Sequence, residues 1–108
     1  MNVEQHETKD LVYLLITPDD YDEAKRYPLI ILLHGFGANM QDLAAITPLI
    51  NRNDYIYVCP NASIEVDIGP GLPGYNMVGY SWVPPREEAT DEDIRASRQT
   101  LEHFFSEM

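Results

Sequence analysis

The segment His34-Gly35-Phe36-Gly37 has the residue types best suited to chemistry in this 108-residue chain. It follows an apolar run directly, and its two glycines are typical of a tight loop that exposes backbone N–H groups. Backbone N–H groups fixed in advance can stabilise a negatively charged oxygen in a transition state, at about 3 kcal/mol for each donor. The same four residues are equally compatible with a strand-to-helix turn that has no catalytic task.

Few side chains could attack a substrate or carry a proton. Ser81 lies in Gly79-Tyr80-Ser81-Trp82, half of a nucleophile-elbow motif, but Pro84 and Pro85 follow too soon for the required turn into a helix. Cys59 ends an apolar run, which predicts a small core residue rather than a reactive thiol. His34 is expected to hydrogen-bond to the backbone rather than to act as a base.

Three apolar runs predict strands at residues 11–16, 28–33 and 55–59. The second and third runs have no polar alternation, which is typical of strands buried on both faces in a parallel sheet. Residues 1–10 are polar, and we expect them to be loosely docked. Residues 61–89 are rich in Gly, Pro and Tyr, and they predict a long loop.

Two helices complete the predicted order of elements. Asn39 can cap a helix that Pro48 should kink or shorten, and Thr90 with Asp93 resembles a capping box for the last helix. The apolar stripe of that last helix is Ile94, Leu101, Phe104, Phe105 and Met108. Strands that alternate with helices predict an α/β fold, with a mostly parallel sheet flanked by helices. Such a sheet would be incomplete without further strands, because its edge would stay open.

Composition and charge exclude several classes of protein. The chain has 18 acidic and 7 basic side chains and a formal charge of -11, which disfavours nucleic acids and anionic membrane surfaces as partners. No apolar run approaches the roughly 20 residues of a membrane span, and the N-terminus is acidic where a secretory signal would be basic. These features predict a cytoplasmic protein without a transmembrane segment. A single cysteine excludes an internal disulfide.

Several segments, taken in their order along the chain, resemble the phospholipase/carboxylesterase family of the α/β-hydrolase superfamily, which includes acyl-protein thioesterases. These segments are residues 28–37, residues 55–62, Gly79-Tyr80-Ser81-Trp82 and the helix that contains Asp93-Ile94. The resemblance covers roughly residues 28–108. It implies that residues 1–108 are the N-terminal part of one α/β-hydrolase domain, in which residues 61–89 form a loop on the substrate side.

The resemblance also implies roles for individual residues. In the superfamily, one oxyanion donor is a backbone N–H from the loop after the strand that matches residues 28–33, and here Phe36 would supply it. The substrate-binding residues implied are Gly35, Met77, Tyr80 and Trp82. The substrate would be a carboxylic ester or thioester, hydrolysed through an acyl-enzyme without a cofactor or a metal.

The chain departs from the family pattern in one respect. A serine hydrolase needs a nucleophile on a Gly-x-Ser-x-Gly elbow, and this motif is absent from the 108 residues. The resemblance therefore implies that the nucleophile, the other triad residues and the second oxyanion donor lie outside this chain, which alone would be inactive. A complementary C-terminal hydrolase chain would then dock beside residues 55–59.

Two alternatives stay open at this point. The chain could be a non-catalytic binding or self-associating module on half of a hydrolase scaffold. It could also belong to another α/β-hydrolase branch, such as the dienelactone hydrolases or a group of peptidases.

Overall fold

A computed structural model of the chain describes residues 1–70, 76–84 and 90–107. The strands in these ranges are β1 (Asn2–Glu7), β2 (Val12–Thr17), β3 (Leu29–Ile31), β4 (Ile56–Pro60), β5 (Ile64–Pro70) and β6 (Asn76–Ser81). The helices are α1 (Met40–Ala44), α2 (Thr47–Ile50) and α3 (Asp91–Glu107). The three predicted strands correspond to β2, β3 and β4. No helix in these ranges is both long enough and apolar enough to cross a membrane.

The prediction of a mostly parallel sheet flanked by helices is wrong. The larger sheet has the strand order β1-β2-β4-β3, and the smaller one contains β5 and β6. Strand β1 pairs with β2, β2 with β4, and β5 with β6, all antiparallel, while β3 and β4 form the parallel pair. Helices α1 and α2 have only five and four residues. The described chain is therefore built mainly from small antiparallel and mixed sheets.

Strand β1 is one reason for this difference, because residues 1–10 were expected to be loosely docked. The turn after β1 is closed by Thr8, whose N–H donates to the Leu11 carbonyl at 2.8 Å. The Thr8 hydroxyl oxygen accepts from the N–H groups of Asp10 and Leu11, each at 3.2 Å. Strands joined by so short a turn pair antiparallel. All six residues of β1 are exposed, so no apolar pattern indicated this strand.

The core lies on both faces of the larger sheet, and residues alternate between the faces as strand geometry requires. One face holds Leu14, Ile16, Tyr57 and Cys59, with Met40 of α1 packed among them. The opposite face holds Tyr13, Leu15 and Val58. Leu11, just before β2, and Phe104 of α3 pack against it. Cys59 is fully buried, and burial raises the pKa of its thiol to about 11. This confirms that Cys59 is a core residue.

Strand β3 was expected to be buried on both faces, and this prediction is also wrong. Strand β3 lies at one edge of the sheet and pairs with β4 on one side only. Leu29 is 52% exposed, and Ile30 and Ile31 are half-buried. Within the described ranges, strand β4 is paired on both sides, by β2 and β3, so a strand added beside residues 55–59 would have to displace one of them. Among the residues that the structure describes, β1 and β3 are the edge strands of this sheet, each with one paired neighbour.

The local helix signals agree well with the structure. Asn39 caps α1, since its side-chain oxygen accepts from the Asp42 N–H at 3.0 Å. Pro48 lies in the first turn of α2, so the apolar pattern that suggested one helix belongs to two short ones. The Thr90 N–H donates to the Asp93 carboxylate at 2.9 Å, and the Asp93 N–H donates to the Thr90 hydroxyl at 3.2 Å. This reciprocal pair confirms the predicted capping box.

Helix α3 contacts the sheet mainly through its C-terminal part. Phe104 is completely buried, while Ile94 and Phe105 are exposed, and Met108 lies outside the described residues. The helix also reaches the turn after β1, where His103 forms an ion pair with Asp10. The Asp10 carboxylate raises the pKa of His103, first by hydrogen bonding and then by its charge.

The segment 61–89 was predicted as a loop, and the structure differs there. Strands β5 and β6 form an antiparallel pair within it, with an irregular register between Asp67 and Gly69. Residues 71–75 and 85–89 of the predicted loop lie outside the described ranges.

Candidate functional site: a loop with an open backbone donor

The loop His34–Ala38, here called the glycine loop, connects the end of β3 to the N-terminal cap of α1. The chain stays beside β4 just before the loop, because the Leu32 N–H donates to the Val58 carbonyl at 2.9 Å. Gly37 has a φ of 78°, a conformation in which L side chains are strained. The loop thus needs a glycine at this position.

His34 fixes the loop from inside. The residue is 3% exposed, and its Nε2 accepts from the backbone N–H of Ala62 at 2.9 Å. Since Nε2 accepts, the ring proton is on Nδ1, which donates to the Gly35 carbonyl at 2.8 Å. Both ring nitrogens are used, so this histidine has no free lone pair with which to act as a base. The prediction that His34 hydrogen-bonds to the backbone is confirmed.

Trp82 holds the loop from one side. Its indole ring stacks on the His34 ring, with the centroids 5.3 Å apart and the planes 30° from parallel. The indole N–H donates to the His34 carbonyl at 2.9 Å. A single side chain therefore restrains both the ring and the backbone of His34.

Strand β6 holds the other end of the loop. The Gly37 N–H donates to the Tyr80 carbonyl, and the Tyr80 N–H donates to the Ala38 carbonyl, both at 2.9 Å. The two backbones approach so closely that a Cβ atom on Gly79 would lie 2.0 Å from the Gly37 carbonyl oxygen. Only glycine fits at position 79, and this glycine lets β6 fix the loop.

The Phe36 backbone N–H remains open. Phe36 is 62% exposed, and its N–H, like that of Gly35, donates to no acceptor among the described residues. The next two N–H groups both have acceptors. The Gly37 N–H donates to the Tyr80 carbonyl, and the Ala38 N–H donates to the Gly35 carbonyl at 3.2 Å. Several hydrogen bonds thus hold the loop, and it keeps a donor with no partner in the described chain.

The predicted substrate-binding residues meet at this loop in part. Gly35 is in the loop, Trp82 packs on it, and Tyr80 pairs with it through the backbone. Met77 lies in β6, and its side chain is outside what the structure describes. Beside Tyr80 is an open cleft of about 250 Å³, lined also by Asp10, Leu11, Val12, Asn61, Ala62 and Ser63.

Ser81 has the environment of a structural residue. Its side chain is almost completely buried, its hydroxyl donates to the Val83 carbonyl, and its oxygen accepts from the Val83 N–H at 3.3 Å. A hydroxyl held in this local turn points at no base. The sequence-based argument against a nucleophilic Ser81 agrees with this geometry.

Two residues directly after β4, Asn61 and Ala62, support the site, and neither had a predicted role. The Ala62 N–H holds His34, and the Asn61 side-chain oxygen accepts from the Met40 N–H at 2.9 Å, at the start of α1. A polar residue directly after a buried strand, here Asn61, could have indicated the contact with Met40. The contact with His34 uses the backbone N–H of Ala62, which every residue except proline has, so the sequence could not indicate it.

The chain matches no family model, no curated protein and no solved structure in comparisons with known proteins.

Replacing Trp82 by phenylalanine should lower the free energy of unfolding by about 1 kcal/mol. The phenyl ring can still stack on His34, but the hydrogen bond to the His34 carbonyl is lost. Urea unfolding followed by far-UV circular dichroism measures the difference. Trp82→Leu, which also loses the ring contact, should cost more, and a Trp82→Phe variant as stable as the wild type would contradict this role for the indole N–H.

Proposed function

We propose that this chain is the oxyanion-side part of a serine carboxylesterase that hydrolyses carboxylic esters or thioesters through an acyl-enzyme. The observation that carries the proposal is the open Phe36 N–H, in a loop that His34, Trp82 and Tyr80 hold in place. Such a donor is useful where negative charge develops during a reaction, because it needs no reorganisation when the charge appears.

The position of the loop supports the same proposal. In serine hydrolases of the α/β class, one oxyanion donor is an N–H in the loop between the third strand and the helix that follows it. The glycine loop likewise follows a strand, β3, and precedes a helix, α1, which supports the proposal. The Phe36 N–H would donate to the carbonyl oxygen of the substrate when that oxygen becomes negative in the tetrahedral intermediate.

The remaining chemistry must come from another polypeptide segment. No Gly-x-Ser-x-Gly occurs in the 108 residues, Ser81 is tied to Val83, and both nitrogens of His34 are occupied. In the proposed reaction, a serine of that segment attacks the ester carbonyl while a histidine takes its proton. The alcohol or thiol then leaves with a proton from the histidine, and water hydrolyses the acyl-enzyme to a carboxylic acid.

The edge of β3 that is unpaired in the described chain is where that segment could dock. Leu29 on β3 and Phe36 in the loop are both more than half exposed, so an added strand there would cover apolar surface next to the glycine loop. The complementary chain is therefore proposed to pair with β3 rather than beside β4.

The test is to purify the tagged chain from its source cells and treat it with a fluorophosphonate, which labels active serines. We expect hydrolysis of p-nitrophenyl acetate and label on a co-purifying polypeptide that contains Gly-x-Ser-x-Gly. Phe36→Pro removes the N–H and should reduce kcat about 100-fold, whereas Phe36→Leu keeps the N–H and should have little effect. Trp82 fluorescence confirms that both variants keep the loop packed.

Other outcomes would refute the proposal. Label on a serine of this chain would mean that its own hydroxyl is the nucleophile. Equal kcat values for Phe36→Pro and Phe36→Leu would mean that the N–H does not contact the oxyanion. A single polypeptide without hydrolysis would favour a non-catalytic module, for which the open β3 edge is a surface for self-association.

A further inference from the structure

A cluster of three side chains that can bind metals lies away from the glycine loop. Asp10 in the turn after β1 meets His103 and Glu107 near the end of α3, and one ligand atom of each lies within 4.8 Å of the others. All three side chains are partly exposed, between 24% and 50%, so an ion from solvent can reach them.

The two nitrogens of His103 face different carboxylates in this cluster. His103 Nδ1 bonds to the Asp10 carboxylate, so Nδ1 is the donor. His103 Nε2 faces a Glu107 carboxylate oxygen at 3.3 Å, longer than the roughly 2.7–2.9 Å of a charge-assisted hydrogen bond. Nε2 forms an ion pair with Glu107 when the ring is protonated, and a metal ion bound there would take the place of that proton.

We propose that His103 Nε2 and the Glu107 carboxylate bind a divalent transition metal of the zinc type, with Asp10 as the carboxylate that orients the histidine. A tetrahedral ion with bonds of about 2.0–2.1 Å separates two neighbouring ligand atoms by about 3.3 Å. The Nε2 to Oε1 distance in the structure is 3.3 Å, so both atoms can bind one ion with little movement.

The surroundings of the two ligands also fit a metal. A histidine that binds a metal through one nitrogen usually donates its other N–H to a carboxylate, and Asp10 accepts that bond here. The second oxygen of Glu107 accepts from the Lys9 N–H at 3.3 Å, which leaves the oxygen facing His103 for the ion. The residues are four apart on a helix, so their side chains share one face. Water would complete the coordination.

Calorimetric titration of the full chain with Zn²⁺ tests the site. We expect saturable binding of one ion to the wild type and no binding at this site in His103→Gln. Glu107→Gln loses a direct ligand and should weaken binding at least tenfold. Asp10→Asn should weaken binding by about 10- to 100-fold, because it loses only the orienting carboxylate.

Two matched variants distinguish Zn²⁺ binding at this site from nonspecific binding of Zn²⁺ to other exposed histidines and carboxylates. His6 lies on β1, and its Nε2 is hydrogen-bonded to Glu4 at 3.0 Å, so His6→Gln should bind Zn²⁺ like the wild type. Glu102→Gln removes a neighbouring exposed carboxylate on α3 and should also leave the dissociation constant unchanged. Far-UV circular dichroism shows whether each variant keeps α3.

Several results would overturn the inference. These are a wild type that binds no Zn²⁺, a folded His103→Gln variant that binds as tightly as the wild type, or a His6→Gln variant that loses binding. Binding of Ca²⁺ that matches Zn²⁺ and does not depend on His103 would mean attraction by carboxylates alone.

Discussion

Replacing Gly79 by alanine should lower the free energy of unfolding by about 3 kcal/mol, the upper end of the range for overpacking. The added Cβ would lie 2.0 Å from the carbonyl oxygen of Gly37 and 2.7 Å from its Cα. Backbone atoms cannot rotate away as a side chain can, so β6 and the glycine loop must separate. The hydrogen bonds between Gly37, Ala38 and Tyr80 should then weaken.

Urea unfolding and the fluorescence of Trp82, the single tryptophan, measure this effect. We expect emission at longer wavelength in Gly79→Ala, because the indole would lose its packing on His34. Gly35→Ala is the matched control, since nothing lies within 4 Å of a Cβ at that position, and it should change stability by less than about 1 kcal/mol. If both variants unfold at the same urea concentration, the close approach of β6 to the loop is not a feature of the protein in solution.

Replacing Phe104 by alanine should cost about 3–5 kcal/mol and release α3 from the sheet. The ring is completely buried against Leu11 and Val58, and it meets the Tyr13 ring edge-on at a centroid distance of 5.3 Å. Phe104 is the one residue of α3 in the buried core, because the N-terminal half of the described helix presents exposed residues such as Ile94, and the contacts of His103 and Glu107 with the turn after β1 lie at the surface. A large cavity at this contact should therefore undock the whole helix.

Hydrogen exchange of α3 and urea unfolding together measure that release. The neighbouring Phe105 is 41% exposed, so Phe105→Ala has the same change in volume with much less buried surface, and it should cost under about 1.5 kcal/mol. Protection factors for α3 that stay at wild-type values in Phe104→Ala would show that the helix is held elsewhere.

The features of the fold that could be predicted depend on neighbouring residues. Asn39 and the Thr90–Asp93 pair cap helices through contacts three residues apart, so the sequence alone is sufficient to recognise them. Strand β1 could not be found in this way. All its residues are exposed, so its sequence has no apolar alternation, and it is a strand because its backbone pairs with β2. The apolar run at Leu29 was misleading, since an exposed edge strand and a doubly buried strand can have the same composition.

In the candidate site, too, local features could be predicted and long-range contacts could not. The glycines of the loop could be recognised because their conformational role is local, as the positive φ of Gly37 shows. The groups that fix the loop could not be recognised, because Ala62 and Trp82 are 28 and 48 residues from His34. The need for glycine at position 79 depends on the backbone of Gly37, a contact that no spacing rule contains.

The long sequence separation of these contacts has a consequence during synthesis. A ribosome adds residues from the N-terminus, so the glycine loop leaves the exit tunnel well before Trp82, the last of the described residues found to restrain it. Until then the loop is a nascent segment with freely rotating glycines and an exposed Phe36 side chain. The open N–H takes its final direction only when the polypeptide has been translated beyond β6 and this strand has folded back onto it.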